Sequence, residues 1–372
     1  MPNLYPQVVD KSTLTGVFRN EQFLTIGVEG QADAGGTATV ALPVICTTPD
    51  DANTFFGPAS SLAGLVNYLL AQGIEFVYAV AASKGSAPSL AQRQAAWATL
   101  EDNPSIRIRL TDSTLQADLV ALADSCENAE GIQNKQFCIV GLPIPAVKAT
   151  AISAAGAVAS KRAVLVSPHV YNLSGTLMSG QYGAAKAAAL IALNPDIADS
   201  MNGMELGGTG GVELDATGLP IYRLRTNGGA PINDFEDLET GGVSPFQQSP
   251  NGLAAFTHLR TTYTVDSTFD SLMTLLIKDQ VFIDIRKILL DNEFLRKGNT
   301  DANRAMAAKL VDQYLKSVSD WVQPITLPDG TTGYGVSAVA SSDQKSFTVY
   351  YYGQVVRGTN VINVNGTLTI PA

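Results

Sequence analysis

Charge is scarce in this chain. Of 372 residues, 16% are charged, with 24 basic side chains against 34 acidic ones and a formal net charge of -10. Phosphate neutralisation needs clustered Lys and Arg, so an acidic chain with a sequence pI near 4.7 is not built to bind nucleic acid over its whole surface. The acidity fits plain solubility. Cysteine is scarce as well. Cys46, Cys126 and Cys138 stand far apart with no CxxC pair. That excludes the usual zinc spacings, and the odd number argues against a closed disulfide framework. Buried, reduced thiols are the expectation, with a bridge between chains as the alternative. Long apolar runs are missing, and stretches such as AAKAAALIALN are too short to span a bilayer. No direct membrane insertion is expected. The opening MPNLYPQVVDKS lacks the basic start and apolar run of an export signal, so synthesis and folding in a cytoplasm are expected.

Signatures of chemistry are missing too. A dinucleotide fold needs GxGxxG directly after its first strand, where this chain has TTPDDANTFFG. There is no GxxxxGK[ST] phosphate cradle and no GxSxG nucleophile elbow; MSGQYG around Ser179 has the wrong spacing. Histidine occurs twice, as His169 in SPHVY and as His258, neither in an HExxH context. His169 follows a strand end, a plausible catalytic place in an α/β sheet, but a ring bonded to a nearby backbone carbonyl is the stronger expectation for both. Asp234, Glu236, Asp237 and Glu239 cluster in NDFEDLET without the glycine turn and final Glu of a calcium loop. They are expected in a solvated acidic loop. No catalytic residue, cofactor or metal is assigned.

What is present is a large apolar fraction, 45%, arranged in alternation. Strands ATVALPVICTT, IEFVYAVAA, IRIRL, QFCIVGLP and AVLVSPHV alternate with helices SLAGLVNYLLAQG, SLAQRQAAWATLED, TLQADLVALADSCENAEG, AVKATAISAAGAVASKR and YGAAKAAALIAL. Near-continuous apolar strands between helices imply a mainly parallel sheet covered on both faces, with right-handed crossovers. Residues 201–251 carry GGTGG, NGGAP and TGGVSPFQQSPNG and read as loop-rich and surface-lying, ordered in places, with LPIYRLRT as one strand-like run. A new unit begins near Leu253 with AFTHLRTTYTV. A long helix follows, with Ser267 and Asp270 as a capping box, and a second helix starts near Thr300. Tyr334 to Gly353 forms a hairpin around SSDQK.

Both ends are extended. Pro2 and Pro6 disfavour helix in PNLYPQVVDKSTL. At the other end Val361, Asn363, Asn365, Thr367 and Thr369 fall on one side of a period-two strand. Ile362, Val364, Gly366, Leu368 and Ile370 fall on the other. A hairpin alone is marginal, and a strand on each edge completes a four-stranded sheet. Strands from the same chain would close a monomer. Strands from neighbours would give head-to-tail strand addition, hence rings or open filaments. One more feature stands out. Arg286, Lys287, Arg296, Lys297, Arg304 and Lys309 are opposed by Asp291, Glu293 and Asp301 alone. This local excess fits either a face meeting something acidic or an ordinary helix surface.

In this order the segments resemble the tail sheath proteins of contractile-tailed bacteriophages and related contractile injection particles. FFGPASSLAGLVNYLLAQGIEFVYAV is similar to the family's FG-x-x-S-x-L-x-x-x-V segment. FTHLRTTYTVDSTFDSLMTLLIKDQVFIDIR is similar to the Arg-Thr-Thr-Tyr strand and following helix of its conserved C-terminal domain. The resemblance implies an N-terminal arm over 1–20 and an outer α/β domain with a mainly parallel sheet over 21–252. A conserved α+β domain with the hairpin follows over 253–357, then a C-terminal arm over 358–372. It implies a structural subunit, not an enzyme, that polymerises in stacked hexameric rings around a tail tube. Its partners would be copies of itself, the tube, and the baseplate and tail terminator proteins. It would contract to drive the tube through a host envelope, residing in the virion tail and, during assembly, the host cytoplasm. Strand exchange would use Leu4, Tyr5, Gln7, Val9, Val361, Ile362, Val364, Leu368 and Ile370. Arg286, Lys287, Arg296, Lys297 and Arg304 would face the tube. An α/β enzyme with an unfamiliar site, or another tail or baseplate protein, is the alternative.

Overall fold

The computed structural model describes residues 24–131, 133–145, 147–194, 196, 201–227, 230–265, 271–294, 299–328, 330–342 and 346–355, and the backbone of 362–371. Its contacts divide the chain into two units, the first running through Leu272 and the second from Met273 onward.

The first unit winds a sheet. In chain order it runs β1 (Thr25–Ala32), β2 (Val44–Cys46), α1 (Pro49–Phe56), α2 (Ser61–Ala71), β3 (Val77–Lys84), α3 (Leu90–Glu101), β4 (Ile106–Thr111), α4 (Gln116–Gly131), β5 (Phe137–Gly141), α5 (Lys148–Val158) and β6 (Ala163–Ser167). It continues with β7 (Val170–Asn172), α6 (Gly180–Leu193), β8 (Thr209–Val212), β9 (Leu224–Asn227), β10 (Ala230–Asn233), α7 (Asp234–Thr240), β11 (Val243–Gln248) and β12 (Ala254–Phe256). Eight strands form one sheet in the order β12-β11-β6-β5-β4-β1-β3-β2. The pairs from β11 through β3 are parallel; β12 and β2 run antiparallel at the two edges. Helices α1, α2 and α6 cover one face and α3, α4 and α5 the other. Local chemistry starts the helices. Thr48 with Asp51 and Ser89 with Gln92 make capping boxes on α1 and α3, and Ser60 caps α2.

The alternation read from the sequence holds from β3 to α6, with three differences. ATVALPVICTT is not a buried strand. Only Val44–Cys46 pairs, at an edge, and Leu42 and Ile45 are exposed. The central strand is instead TIGVEGQA, where Glu29 and two glycines interrupt the apolar run. Those glycines permit close neighbours: a Cβ at Gly30 would stand 2.7 Å from the Asp112 carboxylate. The stretch 201–251 is also more ordered than a loop, contributing β8 to β11. NDFEDLET is helix α7, not a solvated loop. Asn233 caps it, its acidic residues fill the first turn, and Asp234 is buried against Lys148 at 2.8 Å.

The second unit holds α8 (Leu272–Asp291, from its second residue), α9 (Asp301–Ser317), β13 (Val322–Gln323), β14 (Ile325–Thr326), β15 (Thr332–Gly333), β16 (Ser337–Ala340), β17 (Ser346–Val355) and β18 (Ile362–Pro371). α9 starts where the sequence placed it, with Thr300 as its N-cap; Ser267 and Asp270 lie outside the described residues. AFTHLRTTYTV does not open this unit. Its first two residues, Ala255 and Phe256, join the large sheet with Ala254 as β12, because β11 offers an antiparallel edge. The hairpin is present as β16 and β17. Along β17, Phe347, Val349, Tyr351, Gly353 and Val355 are buried and the residues between them are not. This period of two lays one face on α9, whose Ala307, Val311 and Leu315 are buried. Phe294 meets Phe347 edge-on at 6.2 Å, and Tyr314 Oη donates to Asp284 on α8 at 2.8 Å.

Candidate functional site

In a doubly wound sheet a ligand binds beyond the carboxyl ends of the strands, where strand order reverses. Here that point lies beside β1, between β3 and β4. The chain fills it with its own side chains. Buried Glu29 accepts from Arg93 Nη1 at 2.7 and 3.0 Å, from Trp97 Nε1 at 3.1 Å and from Thr111 Oγ1 at 2.8 Å. Asp112, just past β4, accepts from Arg93 Nη1 at 2.8 Å, from the Gln31 amide at 2.7 Å, and from Ser61 Oγ in the first turn of α2. Asp118 on α4 lies 3.0 Å from Arg93 Nε and accepts from Ser113 Oγ at 2.6 Å. Three carboxylates share one guanidinium. Burial, reinforced by Asp112 and resisted by Arg93, pushes the Glu29 carboxyl up to about 7. A phosphate or carboxylate ligand entering at the α2 N-terminus would meet like charge. This arrangement ties β1, β4, α2, α3 and α4 together and offers an anion nothing.

His169 is buried, with Nδ1 at 2.7 Å from Glu213 Oε2 and Nε2 at 2.8 Å from the Leu142 carbonyl oxygen. The expected carbonyl contact is there, and the sequence held no sign of Glu213, which lies 44 residues away. His258 lies 3.9 Å from Glu239. All three cysteines are buried and free; burial pushes the Cys46 thiol up to about 12. Among the described residues, no three His, Cys, Asp or Glu side chains are grouped to hold a metal ion, and no helix is long and apolar enough to cross a membrane. A groove of about 380 Å³ between α3 and α4 is lined by Trp97, Glu101, Asp124 and Ser125; in it Ser125 Oγ donates to the Glu101 carboxylate and accepts from buried Arg109 Nη1 at 2.7 Å.

The remaining candidates belong to the second unit and the chain ends. Leu4, Tyr5, Gln7, Val9 and Val361 lie outside the described residues, as do Arg296 and Lys297. Ile362, Val364, Leu368 and Ile370 stand in β18, opposite Val355, Gly353, Val349 and Phe347 of the same chain. Within one chain, then, the trailing strand runs antiparallel along all of β17. The opposite edge of β17 is shared by β16 and β13. Arg286 and Lys287 are half-buried on α8. Arg304 is turned to its own helix start, donating to Asn299 O at 3.2 Å, to Asn299 Oδ1 at 2.6 Å and to Asp301.

No protein-family profile matches the sequence, and no curated protein matches it. Solved structures do match. A sheath tail protein from Desulfitobacterium hafniense superposes with a TM-score of 0.66 at 12% identity, over 95% of this chain and all of the other. The chain has the tail sheath fold. A sheath tail protein from Listeria innocua gives a TM-score of 0.66 at 9% identity over 95% of this chain and 97% of its own. The helical sheath of the anti-feeding prophage, in its contracted state, gives 0.66 at 13% identity over 94% and 97%. The sheath fold therefore accounts for nearly the whole chain.

Proposed function

We propose that this protein is a tail sheath subunit. It polymerises helically in stacked, hexameric rings around an inner tail tube and contracts to drive that tube through a host envelope. What carries the reading is full-length likeness: the match to sheath proteins spans 94–95% of this chain and at least 97% of theirs. The self-filled crevice beside β1 supports it, since it leaves the usual ligand position of a doubly wound sheet occupied.

In the polymer the β17 edge receives β18 from a neighbouring subunit. The same register serves in cis and in trans, so exchange alters the backbone pairing little, and the free energy of assembly comes from the added contacts. The N-terminal segment, including Leu4, Tyr5, Gln7 and Val9, supplies the second donated strand. Arg286, Lys287, Arg296, Lys297 and Arg304 face an acidic tube. Baseplate and terminator proteins close the two ends, and assembly takes place in the host cytoplasm. No nucleotide drives contraction. The extended lattice is a kinetically trapped state, and a difference of roughly a few kcal/mol per subunit sums over many copies.

Electron microscopy of the purified full-length chain tests this. Long striated cylinders are expected. Discrete globular particles would point to a soluble enzyme or binding protein, and rings that never shorten would point to another tail component.

A further inference from the structure

Cys126 on α4 and Cys138 on β5 are free and fully buried in one apolar cluster with Trp97, Leu122 and Val140. Their thiols are hydrogen-bonded to each other, Cys138 donating and Cys126 accepting. The third cysteine, Cys46, lies on the edge strand β2, separated from β5 by β4, β1 and β3.

The two thiols share their surroundings with a buried cation. Arg109 of β4 stands opposite Cys138 in the parallel register and has no solvent exposure. Its Nη1 donates to Ser125 Oγ, next to Cys126 in the chain, at 2.7 Å, and its Nη2 to the Trp97 carbonyl at 3.3 Å. Both acceptors are neutral, and its Nε has no partner. The nearest carboxylate, Glu101, is reached only through Ser125. Arg162, the other guanidinium near the thiols, is committed to Glu130 at 2.9 Å. A buried charge calls for a counter-charge, and the Cys126 sulfur can supply it. Burial resists its ionisation. The Cys138 hydrogen bond, Arg109 and Arg162 outweigh burial and Glu101, and bring the Cys126 thiol below the ordinary range. The bond to Cys126, then burial, push Cys138 the other way. One nucleophilic sulfur thus touches one protonated sulfur, the relation of an attacking to a resolving thiol.

We propose that Cys126 and Cys138 are a peroxide-oxidisable site that closes to a disulfide within the chain, tying α4 to β5, with Arg109 as the positioning cation. The Cys126 thiolate attacks one oxygen of hydrogen peroxide, the O–O bond breaks, and the departing hydroxide takes a proton from solvent. The Cys138 sulfur then attacks the Cys126 sulfenic acid. The S–S bond forms, the S–O bond breaks, and the oxygen leaves as water with the Cys138 proton. Two thiols are oxidised and one peroxide is reduced to two waters. Peroxide is little larger than water, so local opening admits it.

Hydrogen peroxide treatment of the full-length chain, followed by alkylation on unfolding, digestion and mass spectrometry, tests this. The expected product has the Cys126 and Cys138 peptides joined, lighter by two hydrogens, with Cys46 alkylated. Bridge formation should outpace loss of the Cys46 thiol about tenfold or more. Its rate should be nearly flat from about pH 6.5 to about pH 8, where an unassisted thiol gains about tenfold per pH unit. In Cys138→Ala no bridge can close, and Cys126 should carry a sulfenic acid that dimedone traps on unfolding. A folded variant without that adduct refutes Cys126 as the attacking sulfur; should the variant not fold, the wild-type products decide. Three intact thiols, a bridge to Cys46, or oxidation no faster than that of Cys46 overturns the site. A tenfold rise per pH unit overturns the role given to Arg109.

Discussion

Arg93 bridges Glu29, Asp112 and Asp118, and the consequences of removing it follow from charge alone. Arg93→Met leaves buried carboxylates without their counter-charge, a loss of about 3–5 kcal/mol for a broken buried pair. Urea unfolding followed by Trp97 fluorescence reads it, since Trp97 bonds to Glu29 at 3.1 Å. An unchanged midpoint would show that the cluster is dispensable. Glu29 gives a pH signature of the opposite sense to an ordinary carboxylate. Its folded value of about 7 lies above the ordinary 4.5, so the folded state takes up a proton first on acidification. This group's contribution to stability therefore rises as pH falls from about 7 toward 4.5. Glu29→Gln should lack that rise in melting temperature; a variant that keeps it would assign the rise elsewhere. Lys186 is a third case. It is 5% exposed, its ammonium donates to the Gln72 side-chain oxygen, and burial pushes its pKa down. Lys186→Met should be neutral or stabilising by about 1 kcal/mol, and a clear fall in melting temperature would contradict this.

Elements here meet backbone to backbone where glycine allows it. At Gly141 in β5, an added Cβ would lie 2.1 Å from the Gly180 carbonyl oxygen at the start of α6. Gly141→Ala must move the helix, and overpacking of this kind costs about 1–3 kcal/mol or more, measurable by thermal denaturation. Full stability in that variant would mean the contact is loose. The same logic explains which elements the sequence announces. Strands β3, β5 and β6 are near-continuously apolar because both faces are covered, and the helix after β3 opens on the Ser89 cap. Strand β1 is silent because its centre is Glu29, an acid whose partners Arg93 and Thr111 lie 64 and 82 residues on. Strand β11, VSPFQQ, is silent because a proline and two glutamines hide a strand that pairs parallel to β6. β18 is legible from its strict alternation, and so is the hairpin whose edge it lines; which copy of the chain supplies that hairpin is not written in the sequence. The filled crevice was not legible at all, because it needs four residues from four segments.

At the scale of the whole molecule, the chain combines a doubly wound unit with a smaller unit ending in a long strand. β18 repeats, residue for residue, the length of β17. A trailing strand of that length, fully paired through its backbone, is the kind of element that subunits exchange at little cost in pairing. Deleting Gly358–Ala372 should leave a soluble, folded chain that forms no cylinders, because the first unit and the contact of α9 with β16 and β17 do not depend on it. Cylinders from the truncated chain would show that assembly runs through other surfaces. The most direct measurement is a cross-link across the β17–β18 register, where Tyr350 stands opposite Thr367. Tyr350→Cys and Thr367→Cys are made in separate chains, co-assembled, and joined with a short thiol reagent. Covalent dimers containing one copy of each variant are expected, since a donated strand brings the two thiols together between subunits. Dimers absent from the mixed assembly, with a ready cross-link inside the doubly substituted chain, would mean that the strand stays at home, and strand exchange as the basis of assembly would be wrong.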